Sequence, residues 1–148
     1  EAWGRSREER FPMSFGELME FADRRWNYGE YQDTYFSIHP VRIDSEVVEE
    51  YGDSIYVSAG SVKGSATVAD ASEAIYLPSI YRLDDVKTDS DQDVAEVASY
   101  EGLYADMFYP GERIEFSGVL ERVEGRRNIH RVVVGGAGSE PSYIRRLP

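Results

Sequence analysis

The stretch Arg113 to Val123 alternates apolar and polar residues over 11 positions, and this run constrains the fold more than any other feature of the chain. At about 3.3 Å per residue it makes a strand of roughly 36 Å. A strand of that length in a small domain has to curve, and Gly118 in its middle supplies a place to bend. Gly125 to Arg127 reads as a turn, and Asn128 to Val134 returns as the second arm of a hairpin. Val62 to Val68 alternates as well. Val62, Gly64, Ala66 and Val68 share one face, while Lys63, Ser65 and Thr67 share the other.

Around these lie shorter strand patterns: Thr34 to Arg42, Ile55 to Ser58, Ala74 to Val86 with a break at Pro78, Glu96 to Tyr100, and Ser142 to Leu147. A helix precedes them. Ser14 and Glu17 form an S-x-x-E capping box, and Phe15, Leu18, Met19, Ala22 and Trp26 recur at helical spacing. Short helices are expected at Ser45 to Tyr51 and at Tyr100 to Phe108. Six to eight short, curved strands with few helices predict a mainly β (α+β) fold: a small, partly closed OB-like β-barrel with an N-terminal helix and one or two short helices. A sandwich is the alternative topology. Residues 1–12 read as a charged linker, and residues 13–148 as a single β-rich domain.

Charge is unevenly placed. The chain of 148 residues has a net charge of −12, with 28 acidic and 16 basic residues. Residues 32–110 hold 16 acidic and 4 basic residues, whereas residues 111–148 hold 5 acidic and 7 basic. Of the basic residues, 14 are Arg and only Lys63 and Lys87 are Lys. Acid excess with Lys depletion resembles the composition of proteins that work in molar salt, where the Debye length falls to about 3 Å and self-repulsion is screened; an ordinary acidic protein is the alternative. No cysteine is present, which excludes disulfides, thiolate zinc sites and cysteine nucleophiles. No apolar run approaches the roughly 20 residues that span a bilayer, and no signal peptide is visible, so a cytoplasmic protein without a membrane partner is expected.

The sequence completes no catalytic pattern. Two-metal nucleotidyl transfer needs closely spaced carboxylates. Gly60-Ser61 and Gly64-Ser65 are not followed by Asp-x-Asp at the required distance. Asp89 to Asp93 fails the calcium-loop pattern, since Val94 and Tyr100 stand where Gly and Glu are needed. His39 and His130 lack His or Cys partners nearby in sequence and read as structural.

What remains is aromatic and basic. Arg24, Arg25 and Trp26 close the helix, while Arg122, Arg126, Arg127, Arg131, Arg145 and Arg146 fall on the C-terminal strands. Arginine with exposed aromatic rings can hold single-stranded nucleic acid by stacking. The same residues also fit a domain whose 11 tyrosines fill the core and whose arginines pair with the abundant carboxylates.

Several segments, in order, resemble a known family. They are Arg24-Arg25-Trp26-Asn27, Tyr35 to Arg42, Val62 to Val68, Ser72 to Pro78, Tyr100 to Tyr104, Gly111 to Val123 and Arg131 to Gly135. Together they resemble the C-terminal region of the archaeal predicted nucleotidyltransferases of the DNA polymerase β superfamily. In that family the catalytic Gly-Ser and Asp-x-Asp elements lie upstream. The resemblance implies an accessory domain that holds substrate or nucleic acid and is inactive alone. Its implied partner is an upstream catalytic domain in the same chain, which would carry the divalent metal (Mg), with no cofactor in this domain. An independent OB-like nucleic-acid-binding module, or a structural or protein-interaction domain, is the alternative.

Overall fold

The computed structural model describes residues 13–47, 52–136 and 141–148. The charged segment 1–12 lies outside these residues. Helix α1 (Phe15–Arg24) starts at the expected capping box. The Glu17 amide donates to Ser14 Oγ (3.3 Å), and the Ser14 amide donates to Glu17 Oε2 (2.7 Å). A two-stranded hairpin follows, β1 (Tyr28–Tyr31) and β2 (Thr34–Ser37). Gln32 and Asp33 both sit at positive φ (49° and 57°), which is the geometry of a tight two-residue hairpin turn. Then come β3 (Ser54–Asp70), β4 (Ser79–Thr88), β5 (Val94–Ser99), β6 (Arg113–Gly125), β7 (Ile129–Val134) and β8 (Tyr143–Arg146).

Strands β3 to β7 form a ring. The sheet order is β3-β4-β5-β7-β6, and β6 pairs back onto β3. Strands β5 and β7 run parallel, while the remaining neighbours in the ring are antiparallel. Counted from β3, the ring order is first, second, third, fifth, fourth, first, the connectivity of an OB-fold. The mainly β, partly closed barrel with an N-terminal helix is therefore as expected from the sequence.

Closure depends on β3. It spans 17 residues, pairing with β6 along most of its length and with β4 from Gly64 onward. Between Ser58 and Ser61 its register with β6 shifts, and Gly60 there has φ +101°. Such a bulge bends the strand. The sequence pattern had placed two separate strands here. Gly118 also has a different role from the expected bend. A Cβ on it would lie 2.3 Å from the Val133 carbonyl oxygen, so its missing side chain lets β7 lie against β6.

Val62, Ala66 and Val68 from β3 and Ile114 and Phe116 from β6 face inward, as their alternation predicts, and Tyr81 and Leu83 from β4 join them. Helix α1 lays Leu18 and Phe21 against them, with the Phe21 ring edge-on to Tyr104 (6.0 Å) and Phe108 (5.5 Å). The segment after β5 is not the expected helix over Tyr100 to Phe108. Only Gly102–Tyr104 makes a 3-10 turn, because the chain is held by side chains instead. The buried Tyr81 hydroxyl donates to the Tyr104 carbonyl and accepts from the Met107 amide (2.8 Å). Burial pushes the Tyr81 and Tyr104 phenols well above their ordinary pKa, which keeps both neutral. Likewise Asp44–Glu46 makes only a 3-10 turn, and residues 48–51 of the helix expected at Ser45 to Tyr51 lie outside the described residues.

Candidate nucleic-acid interface

A cleft of about 850 Å³ opens on the outer side of β4. Tyr81 and Leu83 point into the core, so Ile80 and Arg82, which alternate with them, point outward and line this cleft. Its other walls are the β3–β4 loop (Glu73, Tyr76, Leu77), the β6–β7 turn (Arg126, Arg127) and the segment from His39 to Val47. In an OB-like barrel, the outer face of the second and third strands, flanked by the loops after the first and fourth, is where oligonucleotides bind. The ring places β4, β5, the β3–β4 loop and the β6–β7 turn in those positions.

The cleft is basic on an acidic chain. Arg42, Arg82, Arg126 and Arg127 line it against Glu46 and Glu73. Arg42 forms an ion pair with Glu73 and stacks over the Tyr76 ring at 4.2 Å, pinning the 39–47 segment to the β3–β4 loop. His39 contributes as well, with its ring edge-on to Tyr28 at 6.4 Å. It lies beyond the end of β2, so it is not the strand histidine that the pattern over Thr34 to Arg42 implied.

Beneath the cleft a charged row crosses the sheet. Arg82 on β4 is in register with Glu96 on β5, Glu96 with Arg131 on β7, and Arg131 with Glu121 on β6. Opposite charges directly across neighbouring strands stabilise a sheet. Arg127 reaches in from the turn, its Nη1 3.0 Å from Glu96 Oε2. Glu96 is 1% exposed, and its Oε1 has no hydrogen-bond partner. Arg131 is also buried. Its guanidinium donates to Glu121 (3.0 Å) and stacks over Tyr56 at 4.4 Å. Burial opposes its charge, but the bond to Glu121, the attraction of that carboxylate and the contribution of Tyr100 together outweigh it and hold its pKa above the ordinary value.

The candidate arginines thus separate into groups. Arg126 and Arg127 line the cleft, and Arg131 lies beneath it in the sheet. Arg122 faces a different, smaller hollow with His130 and Asp91, and pairs with Glu124 (2.8 Å). Arg145 and Arg146 do not join the hairpin. Strand β8 pairs with Ile114 to Ser117, placing Arg145 opposite Glu115, while Arg122 lies seven residues further along β6. That separation is about 23 Å.

At that far end they help hold α1. Arg146 pairs with Glu20 and Glu112, and Arg145 lies 3.8 Å from Glu17 and 3.6 Å from Glu115. Arg24 makes a two-pronged bond to Glu112 (2.7 and 2.9 Å) and a third to the Met107 carbonyl (2.9 Å). Arg25 donates to the Gly102 carbonyl (2.6 Å) and stacks on Tyr28 at 3.9 Å. Trp26 donates to Asp106 (2.8 Å) with its ring half-exposed. The helix-end group therefore fastens the helix and the β1–β2 hairpin to the barrel.

Arg42, Arg82, Tyr76 and Glu96 belong to no motif visible in the sequence. One signal did point to two of them. Only four basic residues lie in the acidic middle of the chain, and two of those, Arg42 and Arg82, line the cleft. Among the described residues no three His, Asp or Glu side chains come together as a metal site needs, and no helix is long and apolar enough to cross a membrane. In the Asp89 to Asp93 stretch, Asp89 instead accepts the Lys63 amide at 2.9 Å.

The chain is similar to the uncharacterized protein MJ1086 of Methanocaldococcus jannaschii, with 30% identity over 125 residues. The match covers 83% of this chain and 36% of that protein, so the chain spans about a third of the length of this relative. No family model and no solved structure matches the chain.

Proposed function

We propose that this domain holds single-stranded nucleic acid across the outer face of β4, between the β3–β4 loop and the β6–β7 turn. The observation that carries the reading is the placement of four arginines around one cleft of a chain with net charge −12, at the position where OB-like barrels take their ligands. Guanidinium groups both contact phosphate and stack on bases. In molar salt the counterion-release contribution shrinks, so stacking must carry most of the affinity, at about 1–3 kcal/mol per base. The domain itself transfers no nucleotide. It serves as the accessory domain of a cytoplasmic, archaeal, salt-adapted nucleotidyltransferase whose catalytic domain and Mg lie elsewhere in a longer chain. The ordered segments quoted above support this assignment, and the greater length of MJ1086 is compatible with it.

The test is single-strand binding by fluorescence anisotropy over a series of KCl concentrations. The double variant Arg82→Glu, Arg126→Glu should weaken binding by tenfold or more at low salt. It should also flatten the salt dependence by about 0.7 per lost phosphate contact. Arg113→Glu, an exposed arginine at the far end of β6, serves as the control and should change affinity little. Equal affinity for the double variant and wild type would remove the cleft as the binding site.

A further inference from the structure

The buried carboxylate of Glu96 needs an explanation that the ion pair with Arg127 does not supply. An ionised group in a protein interior is retained when its hydrogen-bonding capacity is met, and an unmet one is costly. Glu96 meets half of its capacity. Oε2 takes Arg127 Nη1 at 3.0 Å, while Oε1 is buried with no hydrogen-bond partner. Its register neighbours do not meet the rest. The Arg131 guanidinium is committed to Glu121, and Arg82 turns outward into the cleft. The fold thus keeps an acceptor in reserve beside the cleft. The group standing over it, Arg127, sits on an exposed turn with its side chain 41% exposed.

We infer that Glu96 reads the bound base, selecting one that carries an exocyclic amine. This rests on the nucleic-acid reading of the cleft and deepens it. A phosphate in the cleft draws the Arg127 guanidinium outward, since both the phosphate and Glu96 compete for the same donors. The movement opens a path to Oε1. A cytosine then offers its N4 amine to the carboxylate, while its ring N3 accepts from Arg127. Carboxylate side chains accept from that amine in direct base readout. Uracil and thymine present a carbonyl oxygen at the same position. Their one ring N–H in this edge is recessed between two carbonyl oxygens, which the carboxylate repels. Discrimination against them therefore arises from an unpaired buried charge as much as from the bond gained.

The experiment compares oligodeoxycytidine with oligodeoxyuridine, each about ten nucleotides long, a length within the range covered by one OB-fold. The full chain is used at neutral pH and fixed KCl. Wild type should bind the cytidine oligomer about tenfold more tightly, the discrimination expected of one good base contact. Glu96→Gln, with folding verified by its melting curve, should reduce that preference to about twofold or less, losing affinity for the cytidine oligomer and gaining some for the uridine oligomer, since the repelling charge is removed. A second probe needs no variant: an oligomer of N4,N4-dimethyldeoxycytidine has no N–H at this position and should bind wild type no better than uridine does. Equal wild-type affinity for cytidine and uridine oligomers overturns base reading by Glu96 and leaves the nucleic-acid reading standing. A preference that survives in Glu96→Gln also overturns it. Binding of neither oligomer overturns both.

Discussion

Two single residues set limits on the core, and each makes a prediction. At Gly118 an added Cβ meets the Val133 carbonyl at 2.3 Å and Val132 Cγ1 at 2.9 Å, and a backbone oxygen held in the sheet has little room to yield. Gly118→Ala should therefore destabilise the domain by about 3 kcal/mol, measured as a lower urea midpoint. An unchanged midpoint would show that the β6–β7 contact is looser than described. Tyr81 is the second. Its hydroxyl serves the Tyr104 carbonyl and the Met107 amide, both in the buried segment that follows β5. Tyr81→Phe keeps the ring against Phe108 and removes only that oxygen. The loss should be about 2 kcal/mol, because two buried backbone groups are left unsatisfied. The same residues explain why the expected helix over Tyr100 to Phe108 is absent. An inward tyrosine from a distant strand satisfies these backbone groups, and a local sequence pattern does not reveal that.

Among the elements, α1 is held by charge as well as by Leu18 and Phe21. Glu112 lies below its ordinary pKa, first because it accepts the Arg24 side-chain hydrogen bonds, against partial desolvation. A carboxylate with a depressed folded-state pKa stabilises the fold fully above its unfolded value, about 4.3, and loses that contribution as pH falls through the folded value. Glu112→Gln should cost about 2 kcal/mol at pH 7, and the difference from wild type should narrow progressively as pH falls below about 4.3. Thermal melts across that range measure it. A gap independent of pH would mean that the charge on Glu112 is not what holds the helix.

Legibility also varied by element. The β6–β7 hairpin is legible because Ile114, Phe116 and Leu120 recur on one face of a long strand and Gly125 marks the turn. Strand β3 reads as two strands in the sequence, because Ala59-Gly60 interrupts the local pattern and acts as a bulge only once β6 pairs across it. The β1–β2 hairpin went unseen, since Gln32-Asp33 lacks the glycine that normally marks such a turn. Arg126 and Arg127 were accessible as candidates because they occupy that marked β6–β7 turn. Arg42 and Arg82 reach the cleft from separate elements, and the register of β8, which takes Arg145 and Arg146 elsewhere, is set by pairing that sequence alone does not show.

Over the described residues, carboxylates outnumber basic groups, and the cleft is the place where arginines outnumber them. Exposed Asp84, Asp85, Asp89, Asp91 and Asp93 crowd the end of β4 and the turn into β5. Their repulsion in dilute buffer should be relieved by salt, so the melting temperature should rise from low to molar KCl. A flat or falling trend would identify an ordinary acidic protein. Among the described residues, Arg42, Arg82, Arg126 and Arg127 gather at an open cleft on the face where an OB-like barrel binds its ligand. Chemical-shift mapping of the 15N-labelled domain with a short single-stranded oligonucleotide tests that assignment directly. The largest shifts should fall on Tyr76, Ile80, Arg82, Arg126 and Arg127. Shifts concentrated instead on Arg24, Trp26 and Arg146, with the cleft unmoved, would contradict it.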